Sequence, residues 1–380
     1  MNRSYKLPQA DIPEGVIHLG LGQPGNDLLP GRELAKAAVQ ALKEDDPFYL
    51  AYGEGQGNAR FRQVLSSFLT RHYPEPVDTD HLFVTNGNSQ ALEFICSRFT
   101  RPGDTVFVEE PSYFLALKIF KDHQLRLVTV PVDDQGLCTG TLKKMLNTIT
   151  PAFIYTIPTH HNPAGVTLSE KRRRDLISIC RNRDLLLIAD EVYHFLTFSK
   201  KMPTPMGHFV SRAPVISMGS FSKILAPGLR LGWMHGSRDL IRRMINAGVV
   251  VSGGGLNPFT SQIVETFIRQ GNLDANIDKL NLTYHRRLAT LADEIKARLP
   301  GSVSFERPNG GYFVWIQLPG RINAVELRKA ALDNGVDFFP GTLFSSRGEL
   351  KNYIRLAFCF YDEPMLVKGL GRLAETMEKC

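Results

Sequence analysis

No window of this 380-residue sequence approaches the run of about eighteen apolar residues that a membrane-spanning helix needs, which excludes a helical membrane protein. Cysteine is scarce. The five, Cys96, Cys138, Cys180, Cys359 and Cys380, are odd in number, widely spaced and never arranged as CxxC, so they form neither a disulfide framework nor a zinc ribbon and read as reduced thiols. The N-terminal stretch MNRSYKLPQADIPEG lacks the apolar core of a secretory signal and is poor in the Arg and Ser of a transit peptide, so a cytoplasmic location is expected. Repeats, low-complexity tracts and an HExxH metal motif are absent as well.

What is present is a globular composition, 43% hydrophobic and 22% charged, too apolar for disorder. The length suggests two domains, since single cores stop growing near 250–300 residues. The net charge of +7 invites a nucleic-acid reading, but charges of both signs are interspersed, and neither nucleic acid nor membrane is expected as a partner. The densest basic cluster, Lys171-Arg172-Arg173-Arg174, falls in a helical stretch and reads as a solvated face. Some of the positive excess is expected to serve small anions.

Between residues 81 and 236, short β-like runs (81–85, 105–108, 126–130, 152–156, 185–189, 215–218, 231–235) alternate with helix-length stretches near 89–99, 113–122, 139–147 and 169–183. The run Leu185-Leu186-Leu187-Ile188-Ala189 is apolar throughout, as a strand covered on both faces must be. This is the pattern of an α/β domain with a mostly parallel sheet, whose ligands sit beyond the carboxyl ends of the strands. After residue 236 the pattern changes. Tyr284, Leu288, Leu291, Ile295 and Leu299 mark a long amphipathic helix, strands are expected at 303–306, 312–317 and 353–358 with a helix near 323–334, and Leu366, Leu370, Leu373 and Met377 trace a closing helix. The expected division is a large α/β domain over 45–255 and a smaller α+β domain built from 1–44 and 256–380.

Gly20-Leu21-Gly22-Gln23-Pro24-Gly25 matches GxGxxG, but a dinucleotide loop must run straight into a helix, and here Pro24 and the stretch 26–30 postpone the next helix to about Gly31. A glycine-rich loop approaching another ligand stays open. Ser220-Phe221-Ser222-Lys223, with Arg230 after it, follows the run 215–218 and offers hydroxyls, an ammonium and a guanidinium to a phosphate; a plain polar loop is the alternative. Asp190 ends the most apolar run, where a carboxylate is costly without a partner, and Tyr193 follows. His160 and His161 point to opposite sides of an extended chain, so no metal is expected. Asn162-Pro163-Ala164-Gly165 reads as a turn or as an amide donor at a strand end. Gly87, Asn88, Ser89 and Gln90 open a helix whose free amides make an anion site or an ordinary N-cap. Singly these signals are weak, but all lie at the carboxyl ends of strands in one sheet, where one ligand would be gripped.

Taken together, Asn-Pro-x-Gly at 162–165, Asp-x-x-Tyr at 190–193 and Ser-x-Ser-Lys…Arg at 220–230 resemble the class I/II aminotransferases, the fold-type I enzymes that use pyridoxal 5′-phosphate. The resemblance runs from about residue 16 to the end. It implies that Lys223 forms the Schiff base with the cofactor aldehyde and moves the proton, that Asp190 pairs with the pyridinium nitrogen, and that Asn162 and Tyr193 hold the phenolic oxygen. It further implies phosphate binding by Gly87, Asn88, Ser89, Gln90, Ser220, Ser222 and Arg230, and stacking by Tyr113. Arg355, with Gly22 and Asn162 nearby, would bind the substrate α-carboxylate. Tyr52, in Tyr-Gly-Glu-Gly-Gln-Gly, resembles the tyrosine that reaches the phosphate of the neighbouring subunit, which implies a homodimer with shared active sites. Ala164 stands where the family usually has Thr, and Asn88 where a serine is common. The segment Phe339-Pro340-Gly341-Thr342-Leu343-Phe344 and the Ile354-Arg355-Leu356 strand are most like the aminoadipate/kynurenine subgroup.

The expectation is an aminotransferase that moves an amino group between an L-amino acid and a 2-oxo acid by a ping-pong cycle. A C–S lyase or decarboxylase on the same scaffold is the alternative, because which bond breaks depends on orientation in the site. A transcription regulator of this shape would need a DNA-binding extension, and none is expected here.

Overall fold

The computed structural model describes residues 12–379 apart from Asp45 and Lys200; Cys380 and the first eleven residues lie outside it. The strands are β1 (Ile17–His18), β2 (Leu82–Thr85), β3 (Thr105–Glu110), β4 (Arg126–Asp133), β5 (Gly136–Leu137), β6 (Phe153–Thr156), β7 (Leu186–Asp190), β8 (Val215–Ser220), β9 (Gly232–Gly236), β10 (Ser304–Phe305), β11 (Phe313–Gln317), β12 (Val336–Asp337), β13 (Phe339–Pro340) and β14 (Tyr353–Ala357). Eight form one sheet in the order β2-β9-β8-β7-β6-β3-β4-β5. Its inner strands β4, β3, β6, β7 and β8 are parallel.

Period-two alternation explains why these strands are inside. In β6 and β7, Phe153, Tyr155, Leu186 and Ile188 enter one hydrophobic cluster, while Ile154, Leu187 and Ala189 enter a second on the other face. Both faces are covered by helices, so the strands are apolar throughout. β4, whose outer side is paired only by the two-residue β5, tolerates Pro131 and is fully buried only at Val130.

The expected runs lie within the observed strands or one residue off, and the main shortfall is at their carboxyl ends. β3 continues through Glu109, which a charge-based boundary excludes, because the buried Glu109 carboxylate accepts from Thr156 Oγ1 (2.6 Å) and the Ile157 N–H (2.8 Å). β9 is antiparallel to both neighbours. The chain leaves β8 at Ser220 and re-enters the sheet at Gly232, directly opposite it, so it turns back at the same end of the sheet. A parallel return needs a crossover to the other end.

A second sheet, β10-β11-β14-β13, is antiparallel where it pairs. The long helix spans Asn272–Arg298, 27 residues, and starts well before Tyr284. Its buried stripe includes the polar Asn276, whose amide donates to the Ile224 carbonyl (2.8 Å), and this polar interruption hides the periodicity. β1 pairs in parallel with β12, joining the first described residues to the C-terminal part of the chain. The basic cluster is only partly a solvated face. Arg173 is fully buried, with its guanidinium donating to the carbonyls of Leu168, Pro158 and Thr204 and to Thr159 Oγ1. No helix among the described residues is long and apolar enough to cross a membrane.

Candidate active site

The carboxyl ends of β2, β6, β7 and β8 open on one cavity, lined by Asn88, Ser89, Tyr113, Asn162, Asp190, Tyr193, Ser220, Ser222, Lys223 and Arg230. Sequence positions more than a hundred residues apart meet because parallel strands end on the same side.

Asp190 is the last residue of β7 and is buried. Its carboxylate accepts from the Tyr155 hydroxyl (2.9 Å) and from the Asn88 amide (2.7 Å). Burial nevertheless raises its pKa, because these neutral donors offset only part of the lost hydration. A carboxylate so placed is completed by a cation in the cavity. Lys223 sits in the four-residue helix Phe221–Ile224, capped by Ser220, whose Oγ accepts from the Ser222 N–H (3.1 Å). The Lys223 ammonium donates to the Gly22 carbonyl, and its Nζ lies 5.5 Å from the centre of the Tyr312 ring. Burial lowers its pKa to about 8, so a neutral amine is accessible near neutrality.

Opposite Asp190 the cavity is built for an anion. Ser220 Oγ donates to Ser222 Oγ (3.0 Å), and Arg230 Nη1 to Ser222 Oγ (3.4 Å). The helix Asn88–Phe99 begins here, with first-turn amides that have no partner within the helix. Gly87, at φ +81°, precedes it; a Cβ there would lie 2.9 Å from Arg230 Nη2, so a side chain would push the guanidinium away.

A narrower cleft adjoins the cavity, lined by Gly22, Tyr113, Phe114, Asn162, Lys223, Phe313 and Arg355 among others. Arg355, on β14, is buried and donates through Nη1 to Asn162 Oδ1 (2.8 Å) and through Nη2 to the Gly20 carbonyl (2.7 Å). Its guanidinium carbon lies 3.8 Å from the Phe313 ring centre, 4.8 Å from that of Phe344 and 5.1 Å from that of Phe339. Burial lowers its pKa to about 10, and its Nε is a buried donor with no partner. A carboxylate would satisfy it. Asn162, having given its carbonyl oxygen to Arg355, keeps its NH₂ for a ligand.

For three expected residues the structure adds where the side chain goes. Asn88 turns its side chain to Asp190, away from Ser220 and Arg230. The Gln90 side chain accepts from the Asn86 N–H (3.2 Å), so it caps the helix and leaves only its backbone amide for the anion. Tyr52 is 88% exposed and lies outside the cavity of its own chain. Tyr155 was missed by sequence reasoning, although a tyrosine in an otherwise apolar inner strand was a readable signal. The glycine-rich loop has no helix directly behind it: a 3-10 turn at Asn26–Leu28 intervenes before Gly31–Lys43, and Gly20 and Gly22 offer carbonyls to Arg355 and Lys223. His160 and His161 do have separate partners, Thr197 and Glu109, and no group of three or more His, Cys, Asp or Glu is placed to hold a metal among the described residues.

A buried amine, a buried carboxylate short of a cation, and an anion cradle around one cavity define a pyridoxal-phosphate site, and the sequence agrees: residues 14–373 match the family described as aminotransferase class I and II. The chain belongs to that family and is a pyridoxal-phosphate-dependent aminotransferase of fold type I. It is 32% identical to aromatic-amino-acid aminotransferase 1 of Thermococcus litoralis, over 96% of this chain and 88% of that one. A kynurenine aminotransferase structure from Pyrococcus horikoshii superposes with a TM-score of 0.90 at 30% identity, covering 96% and 91% of the two chains. An α-aminoadipate aminotransferase from Thermus thermophilus, solved with N-(5′-phosphopyridoxyl)-L-leucine, gives 0.88 at 26% identity over 96% and 93%. These are the subgroup that the C-terminal half resembles.

Proposed function

We propose that the two compartments hold cofactor and substrate side by side, and that Lys223 and Asp190 lining one cavity is the observation that carries the reading. Pyridoxal 5′-phosphate supplies an aldehyde for an amine and an electron sink for a developing carbanion. Asp190 keeps a proton on the ring nitrogen, with Tyr155 and Asn88 fixing its carboxylate. Asn162 and Tyr193 hold the phenolic oxygen, and Tyr113 covers the ring face. The amides of Gly87, Asn88, Ser89 and Gln90, the hydroxyls of Ser220 and Ser222, and Arg230 bind the phosphate. Lys223 Nζ, with its pKa brought down to about 8, would hold the aldehyde carbon and, once released by the substrate amine, would take the substrate's α-proton and return it. Arg355 and the Asn162 amide hold the α-carboxylate beside Gly22, which sets the α-carbon near Lys223.

Around this cleft stand Tyr113, Phe114, Phe313 and Phe339, with Arg355 and Lys223 its basic residues. This lining favours donors with aromatic or large apolar side chains. Tyr52 is exposed beside Leu50, and Gly53 bridges to Gly254 and Gly255 near the exposed Val249 and Val251. That apolar stretch supports a homodimer in which Tyr52 reaches the partner's phosphate. We further place the domain division at 45–255 against 1–44 with 256–380, and the enzyme in the cytoplasm.

The test is a panel of L-amino acids incubated with the holoenzyme and 2-oxoglutarate, reading the 2-oxo acid formed. Turnover is expected, strongest with aromatic donors; no 2-oxo acid from any donor refutes the transfer reaction.

A further inference from the structure

Packed against Phe339 and the Gly20 backbone lies a buried polar group that no step above uses. His18, on β1, is 3% exposed. Its Nδ1 accepts from the Gly20 N–H (3.2 Å), so the ring proton sits on Nε2, which faces Asp337 Oδ2 at 3.6 Å. Asp337 in turn is gripped by both ends of the Arg328 guanidinium, at 2.6 and 2.9 Å. The imidazole packs edge-on against Phe339, ring centres 5.0 Å apart, and Phe339 is one of the rings around Arg355.

Gly20 is thereby held at both of its peptide groups: the N–H of the Leu19–Gly20 peptide by His18, and the carbonyl of the following peptide by Arg355 Nη2 at 2.7 Å. The geometry leaves no room for an alternative. A Cβ on Gly20 would lie 2.9 Å from the His18 ring and 3.0 Å from Phe339, so the strap passes as closely as a backbone can. Gly20 is buried, and without His18 its N–H has no acceptor. A peptide with a buried unpaired donor rotates or admits water, and because it shares the Gly20 Cα with the next peptide, the Gly20 carbonyl shifts with it.

We propose that His18 is a positioning residue for substrate recognition: through the backbone on either side of the Gly20 Cα it sets the orientation in which Arg355 presents its guanidinium to the α-carboxylate. Burial lowers the pKa of His18, which keeps the ring neutral and Nδ1 an acceptor. The inference rests on the reading of Arg355 as the carboxylate ligand.

The experiment is calorimetric titration of the holoenzyme with 3-phenylpropanoate and, in parallel, with 3-phenylpropanamide, which has the same body without the charge. The readout is the preference for carboxylate over amide. His18→Leu, which keeps bulk against Phe339 but removes the acceptor, is expected to lose about tenfold of that preference. His18→Asn, whose Oδ1 replaces Nδ1 as acceptor, is expected to stay within about twofold of the wild type. An unchanged preference in His18→Leu overturns the proposal, as does equal weakening of both ligands or a His18→Asn that behaves like His18→Leu. Arg355→Gln separates the two layers. If it abolishes the preference while His18→Leu does not, only the role of His18 fails; if it leaves the preference intact, the reading of Arg355 fails with it.

Discussion

Lys223 is held at a thermodynamic cost that its replacement should release. Burial brings the pKa of its amine from the ordinary 10.5 to about 8. That depression is worth about 3 kcal/mol against the charged amine at neutral pH. Lys223 is partly open to the cavity, so about 2 kcal/mol of this is expected to survive solvent screening. Lys223→Met keeps the length and removes the charge, but it also deprives the Gly22 carbonyl of its donor, a loss of about 1 kcal/mol. The cofactor-free variant should therefore be more stable than the cofactor-free wild type by roughly 1 kcal/mol at pH 7, visible as a rise of about 1 °C in Tm. The pH dependence identifies the cause. Because the folded-state pKa is depressed, the penalty is complete below about 8, shrinks as pH rises from 8 towards 10.5, and is gone where the amine is neutral in both states. Differential scanning calorimetry of both apo proteins at pH 7 and pH 10 reads it directly. A Lys223→Met protein that melts below the wild type at pH 7, or a gap that does not narrow with pH, refutes the reasoning. The variant should also be unable to hold the cofactor covalently, which is the functional return for the instability.

Two other perturbations address other parts of the site. Tyr155→Phe removes the 2.9 Å hydrogen bond to Asp190, so the carboxylate becomes harder to ionise; cofactor affinity should fall about tenfold in an absorbance titration, and an unchanged Kd would discard the role of Tyr155. Tyr52→Ala alters an exposed side chain and should leave the Tm within a degree or two, yet weaken cofactor retention. Mixed dimers of Tyr52→Ala with Lys223→Ala subunits should recover one intact site per dimer; no recovered activity would contradict shared sites.

The cofactor cavity was legible from sequence because its residues sit where local chemistry is unusual: a carboxylate ending an apolar strand, a lysine after two serines, an asparagine before a proline. Boundaries were less legible where polar residues are buried with partners from elsewhere in the chain. Glu109 lengthens β3 because Thr156 and Ile157 donate to it, Asn276 lengthens the long helix, and Arg173 vanishes into the interior on carbonyls from three segments. Charge alone marks such residues as surface; only their partners reverse that.

By itself, then, the sequence determined the alternation of elements, the family, and most of the groups that line the cavity, since hydrophobic period and strand-end chemistry are local properties. The tertiary structure decided which of those groups touch. It turned the Asn88 amide onto Asp190, brought Tyr155 beneath it, and carried the Gly20 strap from the N-terminal stretch to Arg355. Each of these depends on side-chain direction and on contacts between segments distant in the chain, and no local pattern encodes either.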